Sequence, residues 1–478
     1  MAARGRVLSG FPTFGWWQVL RLALVQACLG SVVVITTSTL NRIMVVELMM
    51  PALLPGLLVG LHYAVQMVRP RMGFGADQGR RCTPWMVGGM AVLSLGGCLA
   101  AQATVTMGSD RGLGVALAAL AFALIGVGVS ACGTSLLVLL AKRVPDERRA
   151  PAATLVWVMM IVGFALTAVV VGKHLDPYTP ERMLNVVCTA AALAWLIACV
   201  CLWGLEGPAQ WAAQHGAAPG VDTALTHPAA PGTGEPMGAA QGAASVRFRQ
   251  ALAAVWDEPA ARRFTVFVFL SMLAYSSQDL ILEPFAGAVF DMTPGQTTQL
   301  SGLQHGGVLL GMLFVALVGS GWARGRWGSV QAWTVGGCLA SALAMAGLSV
   351  AAGLGGSWPL LANVFLLGVA NGAFSIAAIT TMMRLAAAAK DGREGTRMGL
   401  WGAAQAIAFG LGGLLGTGAS DLARWWVSQP ALAYSWVFGM EALMFAGSAW
   451  WAVQVGRGEA VQTRKTQTAP WAMEGQQP

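Results

Sequence analysis

Long apolar runs, separated by short polar segments, make up most of the chain. A helix needs about 20 apolar residues to cross the hydrocarbon core of a bilayer. Runs of this length predict twelve membrane spans: 16–39, 44–68, 84–106, 112–140, 152–175, 182–205, 263–288, 298–320, 329–352, 358–386, 397–419 and 431–455. The pattern therefore predicts an all-α protein that crosses a membrane many times.

Composition and charge agree with this prediction. Apolar residues make up 56% of the chain and charged residues 10%, which excludes a soluble multidomain protein. An even number of spans puts both termini on one side. Of the 29 Lys and Arg residues, only five lie on the other side, namely Arg42, Arg111, Lys173, Arg182 and Arg424. The side of the termini is therefore predicted to be cytoplasmic, and the net charge of +8 calls for no nucleic-acid partner.

The eight cysteines indicate neither disulfides nor a zinc site, because all except Cys82 lie within apolar runs. A segment rich in Ala, Gly and Pro, 207–244, separates spans six and seven and cannot bury a core. The predicted organisation is an N-terminal half (1–206), a cytoplasmic linker (207–262), a C-terminal half (263–456) and a cytoplasmic tail (457–478). Residues 245–262 mix apolar side chains with arginines, which fits either a helix on the membrane surface or a solvated linker.

The two halves resemble each other. Trp85–Gly89 opens the third span and Trp333–Gly337, of similar sequence, opens the ninth. Further pairs follow in the same order at a nearly constant separation: Pro51 with Pro294, His62 with His305, and Gly126 with Gly368. Two parallel six-helix repeats about an axis normal to the membrane indicate a major-facilitator fold, with a binding cavity between the halves.

Two acids lie deep within the seventh span. Asp279 belongs to an apolar run with no basic residue after Arg263, and Glu283 follows one helical turn later. Two like charges at that spacing repel, so one of the pair is predicted to be protonated, paired or bound to a ligand. Because acids at this depth usually face a polar cavity, both are candidate site residues.

Other polar residues within the spans leave two interpretations open. His62 and His305 are the membrane-embedded histidines, and they either bind a ligand or form hydrogen bonds between packed helices. Asn371, in a glycine-rich span, is either a cavity residue or a packing residue. Glu47 is either functional or paired with the nearby Arg42. For Glu441, in the last span, a structural role is predicted.

The loop after the second span resembles the signature loop of major-facilitator proteins. It contains a glycine, an acid and then Gly-Arg-Arg, and is one residue short between the acid and the second glycine. The residues in question are Gly73, Asp77, Gly79, Arg80 and Arg81. Glycines permit a tight turn, and the charged residues can pair with helix ends. This loop supports the fold and says little about the substrate.

Four blocks of sequence carry a more specific resemblance: Thr37–Leu48, Gly60–Ala64, Gln278–Phe285 and Asn371–Ser375. They are similar to the PucC and LhaA family, the bacteriochlorophyll-delivery branch of the major-facilitator superfamily in phototrophic bacteria. The resemblance spans nearly all twelve helices. It implies a membrane assembly factor that binds or delivers bacteriochlorophyll to antenna polypeptides while light-harvesting complexes form. It does not separate the PucC role from the LhaA role.

The resemblance also implies a site, partners and a location. The candidate residues for binding pigment or substrate are His62, His305, Asp279, Glu283, Asn371, Glu47 and Asn41. Bacteriochlorophyll would be a cargo and not a catalytic cofactor, with His62 or His305 as axial ligand to its Mg²⁺. The expected partners are this pigment, antenna polypeptides and lipid. The expected location is the inner, intracytoplasmic photosynthetic membrane, with both termini in the cytoplasm.

An enzymatic function is not predicted. The sequence has no Asp-rich diphosphate motif of a membrane prenyltransferase, no Walker loop, no Ser/His/Asp constellation and no metal-binding spacing of Cys and His. The alternative to pigment delivery is a proton-coupled transporter of a small molecule, in which Asp279 or Glu283 would carry the proton.

Overall fold

The computed structural model describes residues 14–67, 81–206, 256–319, 329–387, 394–427 and 429–468. Within these ranges the chain forms twelve long helices and no strand. They are α1 (Trp16–Glu47), α2 (Leu53–Gln66), α3 (Thr83–Met107), α4 (Arg111–Arg143), α5 (Asp146–Leu175), α6 (Pro180–Leu202), α7 (Pro259–Phe290), α8 (Pro294–Gly319), α9 (Val330–Leu354), α10 (Leu360–Ala387), α11 (Glu394–Trp426) and α12 (Pro430–Thr468).

Ten of the helices in the described part are long and apolar enough to cross a membrane. The other two are α2, an apolar helix of 14 residues, and α12, which continues past the predicted span to Thr468. The prediction of an all-α, multi-pass membrane protein is confirmed.

The boundary between the first two spans differs from the prediction. The expected spans were 16–39 and 44–68, but α1 continues to Glu47, with π-helical turns at Ile35–Thr39 and Ile43–Glu47. The chain turns at Met49, whose φ is 51°, and α2 begins only at Leu53. The predicted start at residue 44 is therefore wrong. The polar residues that suggested a loop are buried against the other half of the molecule, so they do not end the helix.

Each half packs in the same way. In the first half α1 lies against α5 and α6, α3 against α4 and α6, and α2 against α4. The second half repeats this arrangement, with α7 against α11 and α12, α9 against α10 and α12, and α8 against α10. The halves meet along two seams, one between α5 and α8 and the other between α2 and α11. The helices therefore reproduce the six-helix repeat that the sequence predicts.

One pair of glycines shows the repeat at atomic detail. A Cβ added to Gly126 of α4 would lie 2.8 Å from the carbonyl oxygen of His62 in α2. A Cβ added to the matching Gly368 of α10 would lie 2.1 Å from the carbonyl oxygen of Gln304 in α8, next to His305. Small residues let helix backbones approach closely in a membrane protein. Both embedded histidines therefore lie where a glycine brings two helices together.

Candidate functional site

The second half of α1 crosses the interface between the halves and contacts α7 where α7 contains a proline. Pro284 has no N–H, so it cannot donate a helical hydrogen bond to the carbonyl of Leu280 four residues earlier. The side-chain Nδ2 of Asn41 donates to that carbonyl oxygen instead, at 2.6 Å. Asn41 is buried, with 1% of its surface exposed. This candidate residue therefore joins the halves by satisfying a carbonyl that the proline leaves free.

Glu283 lies on α7, one turn after Leu280, at the point where α1, α7 and α8 meet. Its side chain is 2% exposed, and its Oε1 accepts a hydrogen bond from the hydroxyl of Ser38 in α1. The Ser38 hydroxyl also contacts that of Ser301 in α8, at 3.1 Å. The second oxygen, Oε2, is buried and has no hydrogen-bond partner among the described residues. The acid is therefore enclosed by hydroxyl groups from both halves.

Arg42 closes the far end of this interface, on the side away from the termini. Its Nη2 donates to the carbonyl oxygen of Met292, at 2.7 Å, just beyond the end of α7, where a positive charge is favoured by the helix dipole. Its Nη1 forms an ion pair with the partly exposed Glu47. Gly287 makes room for the guanidinium group, because a Cβ there would lie 3.0 Å from Nε and Nη2. Glu47 thus has the pairing that one interpretation of the sequence expected.

Asp279 lies in a different environment from Glu283. It is partly exposed, and its Oδ1 is 3.5 Å from Nε2 of Gln304 in α8. One turn earlier on α7, the Tyr275 ring lies 6.0 Å from that of Phe409 in α11, which lies 5.7 Å from the ring of Tyr63 in α2. Asp279 is therefore next to an aromatic group to which both halves contribute.

The two embedded histidines occupy matching positions on opposite seams. His305 of α8 hydrogen-bonds through Nδ1 to the carbonyl oxygen of Ser301, at 2.8 Å, and meets the Phe164 ring of α5 edge-on at 5.1 Å. In His62 of α2 it is Nε2 that is engaged, 2.6 Å from the side-chain nitrogen of Gln66. The structure therefore does not bring the two together, and a different ring nitrogen is engaged in each.

Asn371 lies within the C-terminal half and not between the halves. It is completely buried in α10, and its Oδ1 accepts a hydrogen bond from the Ser341 hydroxyl of α9, at 2.8 Å. Its Nδ2 has no hydrogen-bond partner among the described residues. The residue packs α10 against α9 and carries one unused donor.

The predicted signature loop falls mostly outside the described residues. Gly73, Asp77, Gly79 and Arg80 lie in the segment 68–80, and Arg81 is exposed just before α3. The predicted surface helix at 245–262 is described only from residue 256, shortly before α7 begins. The roles predicted for both segments stay predictions.

Two aspartates that the sequence analysis did not select connect the halves. Asp421, near the end of α11, accepts hydrogen bonds from the backbone N–H groups of Ala52 and Leu53, at 2.9 and 2.7 Å, at the start of α2. Asp176, just after α5, accepts from the Thr293 hydroxyl at 2.6 Å and from the Gly295 N–H at 3.2 Å, at the start of α8. Each acid caps a helix of the opposite half. Both lie close to the end of the fifth helix of their half, and this match was a signal that the repeat could have supplied.

The described residues contain no group of three or more His, Cys, Asp or Glu side chains that could hold a metal ion. A site with several protein ligands to a metal is therefore not formed in this part of the chain.

The fold is that of the major-facilitator transporters. The structure superposes on a D-xylose–proton symporter with a TM-score of 0.67 and 12% identity, covering 91% of this chain and 97% of the symporter. It also superposes on a peptide transporter in complex with sulfate, with a TM-score of 0.63 and 14% identity, covering 95% and 96% of the two chains. At these identities the likeness establishes the fold alone.

Within that class the sequence defines a narrower group. Residues 39–460 match the family described as PUCC protein. A Rhodobacter capsulatus protein named bacteriochlorophyll synthase 44.5 kDa chain is 47% identical over 97% of this chain and 100% of its own length. Protein PucC of the same organism is 29% identical over 89% of each chain. This chain therefore belongs to the PUCC protein family, as the sequence blocks predicted.

Proposed function

We propose that this protein binds bacteriochlorophyll and delivers it to antenna polypeptides during light-harvesting complex assembly. Membership of the PUCC protein family and the pigment named in its 47% identical relative support the association with bacteriochlorophyll. The single observation that carries the proposal is the geometry of His305 at the seam between α5 and α8. The proposed location is an intracytoplasmic photosynthetic membrane with both termini in the cytoplasm.

The hydrogen bond to Ser301 prepares His305 to bind a metal. A carbonyl oxygen accepts and cannot donate, so Nδ1 must carry the proton and Nε2 keeps its lone pair. Metal-binding histidines are typically oriented by such a bond from the other ring nitrogen to a carbonyl. Within the described part of the chain, the hydrogen bond of the His305 ring is the one through Nδ1.

The surroundings of His305 are apolar, which suits an apolar pigment better than a hydrated ion. Val308 and Met312, one and two turns further along α8, form an apolar cluster with Ile161 of α5. Phe164 packs against the imidazole ring itself. A bound chlorin would supply the Mg²⁺, and His305 would supply its axial nitrogen. By contrast, the Nε2 atom of His62 is already engaged by Gln66.

We assign the pigment as cargo and the chain as a carrier. The relative with 47% identity is named as a chain of bacteriochlorophyll synthase, so a role beside that enzyme fits the same cargo. The sequence contains no diphosphate-binding motif that would perform the synthase reaction. A carrier needs only to bind the pigment, to keep it out of water and to release it.

The test is pigment that co-purifies with the protein from pigmented membranes. Replacing His305 by Phe removes the axial nitrogen and keeps an aromatic ring, so bound bacteriochlorophyll should fall by about tenfold, in line with loss of a stabilising contact of roughly 1.4 kcal/mol. The measurement is the absorption spectrum of the purified protein. His62→Phe is the matched control and should retain the pigment, because its Nε2 is already engaged.

Two outcomes would contradict this assignment. Full pigment retention with an unshifted spectrum in His305→Phe would exclude the axial ligand. A wild-type protein that is colourless after gentle purification would exclude the cargo itself. The second candidate function, proton-coupled transport of a small molecule, would then be favoured. The observation that supports it is Glu283, a buried acid between the halves with one unpaired oxygen.

A further inference from the structure

We propose that Glu441 of α12 forms a proton-binding site inside the C-terminal half. This inference does not depend on the proposed function. Glu441 lies on α12, which packs against α7, α9 and α11 of its own half, and the pigment site described above does not use it.

The carboxyl group of Glu441 is completely buried and forms no ion pair among the described residues. The residue is 0% exposed, and neither Oε1 nor Oε2 has a hydrogen-bond partner among the described residues. One turn before and one turn after it on α12 lie Phe438 and Phe445. Their rings contact those of Phe285 in α7, at 4.8 Å, and Phe374 in α10, at 5.9 Å. An acid is therefore placed between two aromatic contacts in the middle of a helix bundle.

No basic side chain is available to neutralise an ionised Glu441. Neither α7 after Arg263 nor α9 contains a Lys, Arg or His residue. The only basic residue of α10 is Arg384, near the end of that helix. In α12 no basic residue occurs before Arg457. A buried carboxylate without a partner is strongly unfavourable, so the neutral acid is the form that this environment stabilises.

The titratable groups that face Glu441 from the neighbouring helices reinforce this argument. From α7 comes Asp279, a second acid, together with the hydroxyl of Ser277. From α9 the only titratable side chain is the buried Cys338.

The two charged residues near the end of α11 are engaged elsewhere. Asp421 caps α2, and Arg424 donates to the hydroxyl of Tyr434, two turns before Glu441 on α12. Among the described side chains of these helices, a negative charge on Glu441 would thus meet another acid and no unengaged cation.

An unused donor from α10 matches a neutral carboxyl group. The helices α10 and α12 run in the same direction, and the contact between Phe374 and Phe445 fixes their register. Asn371 and Glu441 each lie one turn before these rings, at the same level of the bundle. The Nδ2 of Asn371 is buried and has no partner in the described part of the molecule. It adds a neutral polar group, and no charge, at this level of the bundle.

This site suits a proton better than a metal cation. Hard cations require several oxygen ligands, whereas phenyl-ring contacts flank Glu441 one turn before and one turn after it on α12. A proton needs only one oxygen and removes the charge. The bound proton lets α12 pack on α7, and its loss would place an uncompensated negative charge in this helix contact.

Infrared difference spectroscopy tests the site directly. Wild-type protein purified in detergent near neutral pH should show a carbonyl-stretch band of a protonated carboxylic acid that is missing from Glu441→Gln. The amide keeps the size and polarity of the side chain but cannot bind the proton in this way. Glu181→Gln is the matched control, because Glu181 is exposed at the start of α6 and its replacement should leave the band unchanged.

If Glu441→Gln does not accumulate, Glu441→Asp replaces it, and the band should then shift in position. An unchanged band in the substituted protein would overturn the proposal, because the proton would belong to another group. A wild-type spectrum showing Glu441 only as carboxylate would overturn it too. So would a sodium-dependent rise in the melting temperature that Glu441→Gln abolishes, since the site would then hold a cation.

Discussion

A single pair of residues, Asn41 and Pro284, shows how the halves recognise each other. Proline in a helix leaves one carbonyl without its donor, and a buried carbonyl of this kind is costly. In this protein the missing donor comes from the other half, through the Asn41 side chain. The defect in α7 and the polar residue in α1 are therefore one structural unit, although they are separated by more than half of the chain.

This unit makes a prediction about coupled substitutions. Asn41→Ala should lower the free energy of unfolding by about 1–2 kcal/mol, because it leaves the Leu280 carbonyl unsatisfied. With Pro284→Ala also present, a backbone N–H becomes available to that carbonyl, and the loss should fall to about half or less. The measurement is a double-mutant cycle of denaturant unfolding in detergent micelles.

The control for this cycle is Asn363→Ala. The Asn363 side chain donates to the carbonyl of Ala344, at 2.9 Å, within the C-terminal half. Asn363→Ala should lower the free energy of unfolding by the same amount with and without Pro284→Ala. Equal losses for Asn41→Ala in the two backgrounds would show that Asn41 acts independently of the proline.

At the scale of elements, the starts of α2 and α8 depend on acids supplied by the opposite half. Backbone N–H groups at the start of a helix have no partner within it and attract a carboxylate. Asp421 serves α2 and Asp176 serves α8, so one device is used twice in a symmetric manner. A short helix such as α2 gains most from it, because it has few turns of its own.

Replacing Asp421 by Asn should loosen the start of α2. The amide keeps one acceptor oxygen where the carboxylate uses two, and it has no charge to interact with the helix dipole. We expect a loss of about 1 kcal/mol and faster hydrogen exchange at the N–H groups of Ala52 and Leu53. Hydrogen exchange detected by mass spectrometry measures the exchange rates at these two groups.

Asp110→Asn is the matched control for this effect. Asp110 caps α4 within its own half, accepting from the Leu113 N–H at 3.0 Å. Its replacement should speed exchange at the start of α4 and leave α2 unchanged. If Asp421→Asn left exchange at α2 unchanged, the cap would not be holding that helix.

At the scale of the whole molecule, two six-helix units meet along matching seams. The seam between α5 and α8 is lined by apolar residues and His305, and the seam between α2 and α11 includes His62 and Tyr63. The repeat makes the seams equivalent in backbone packing, while their side chains differ. An asymmetric cargo could thus bind at one seam of a nearly symmetric scaffold.

The orientation of this molecule in the membrane has a direct test. Because 24 of the 29 basic residues, all but five, are assigned to the side of the termini, a tag inserted at 207–244 should be reachable only from the cytoplasm. A tag at 108–110, between α3 and α4, should be reachable only from the opposite side. Impermeant labelling of intact cells and of inverted vesicles provides the measurement. Labelling of the linker tag in intact cells would show that the protein has the opposite orientation.

The sequence by itself determined the helical class, the repeat and the family. Apolar runs long enough to cross a bilayer are a local property, and the matching positions of His62 and His305 are visible without coordinates. Selection of Asp279 and Glu283 as unusual residues also needed only the cost of a charge in lipid. These features depend on residue type and spacing, which a linear pattern contains.

Only the tertiary structure decided what these polar residues contact. The extension of α1 to Glu47 depends on Asn41 and Arg42 finding partners in α7, whereas sequence periodicity describes each helix alone. The distinction between His305 and His62 likewise depends on which ring nitrogen a neighbour engages. Hydrogen bonds between distant segments are set by how the helices pack, so no local pattern predicts them.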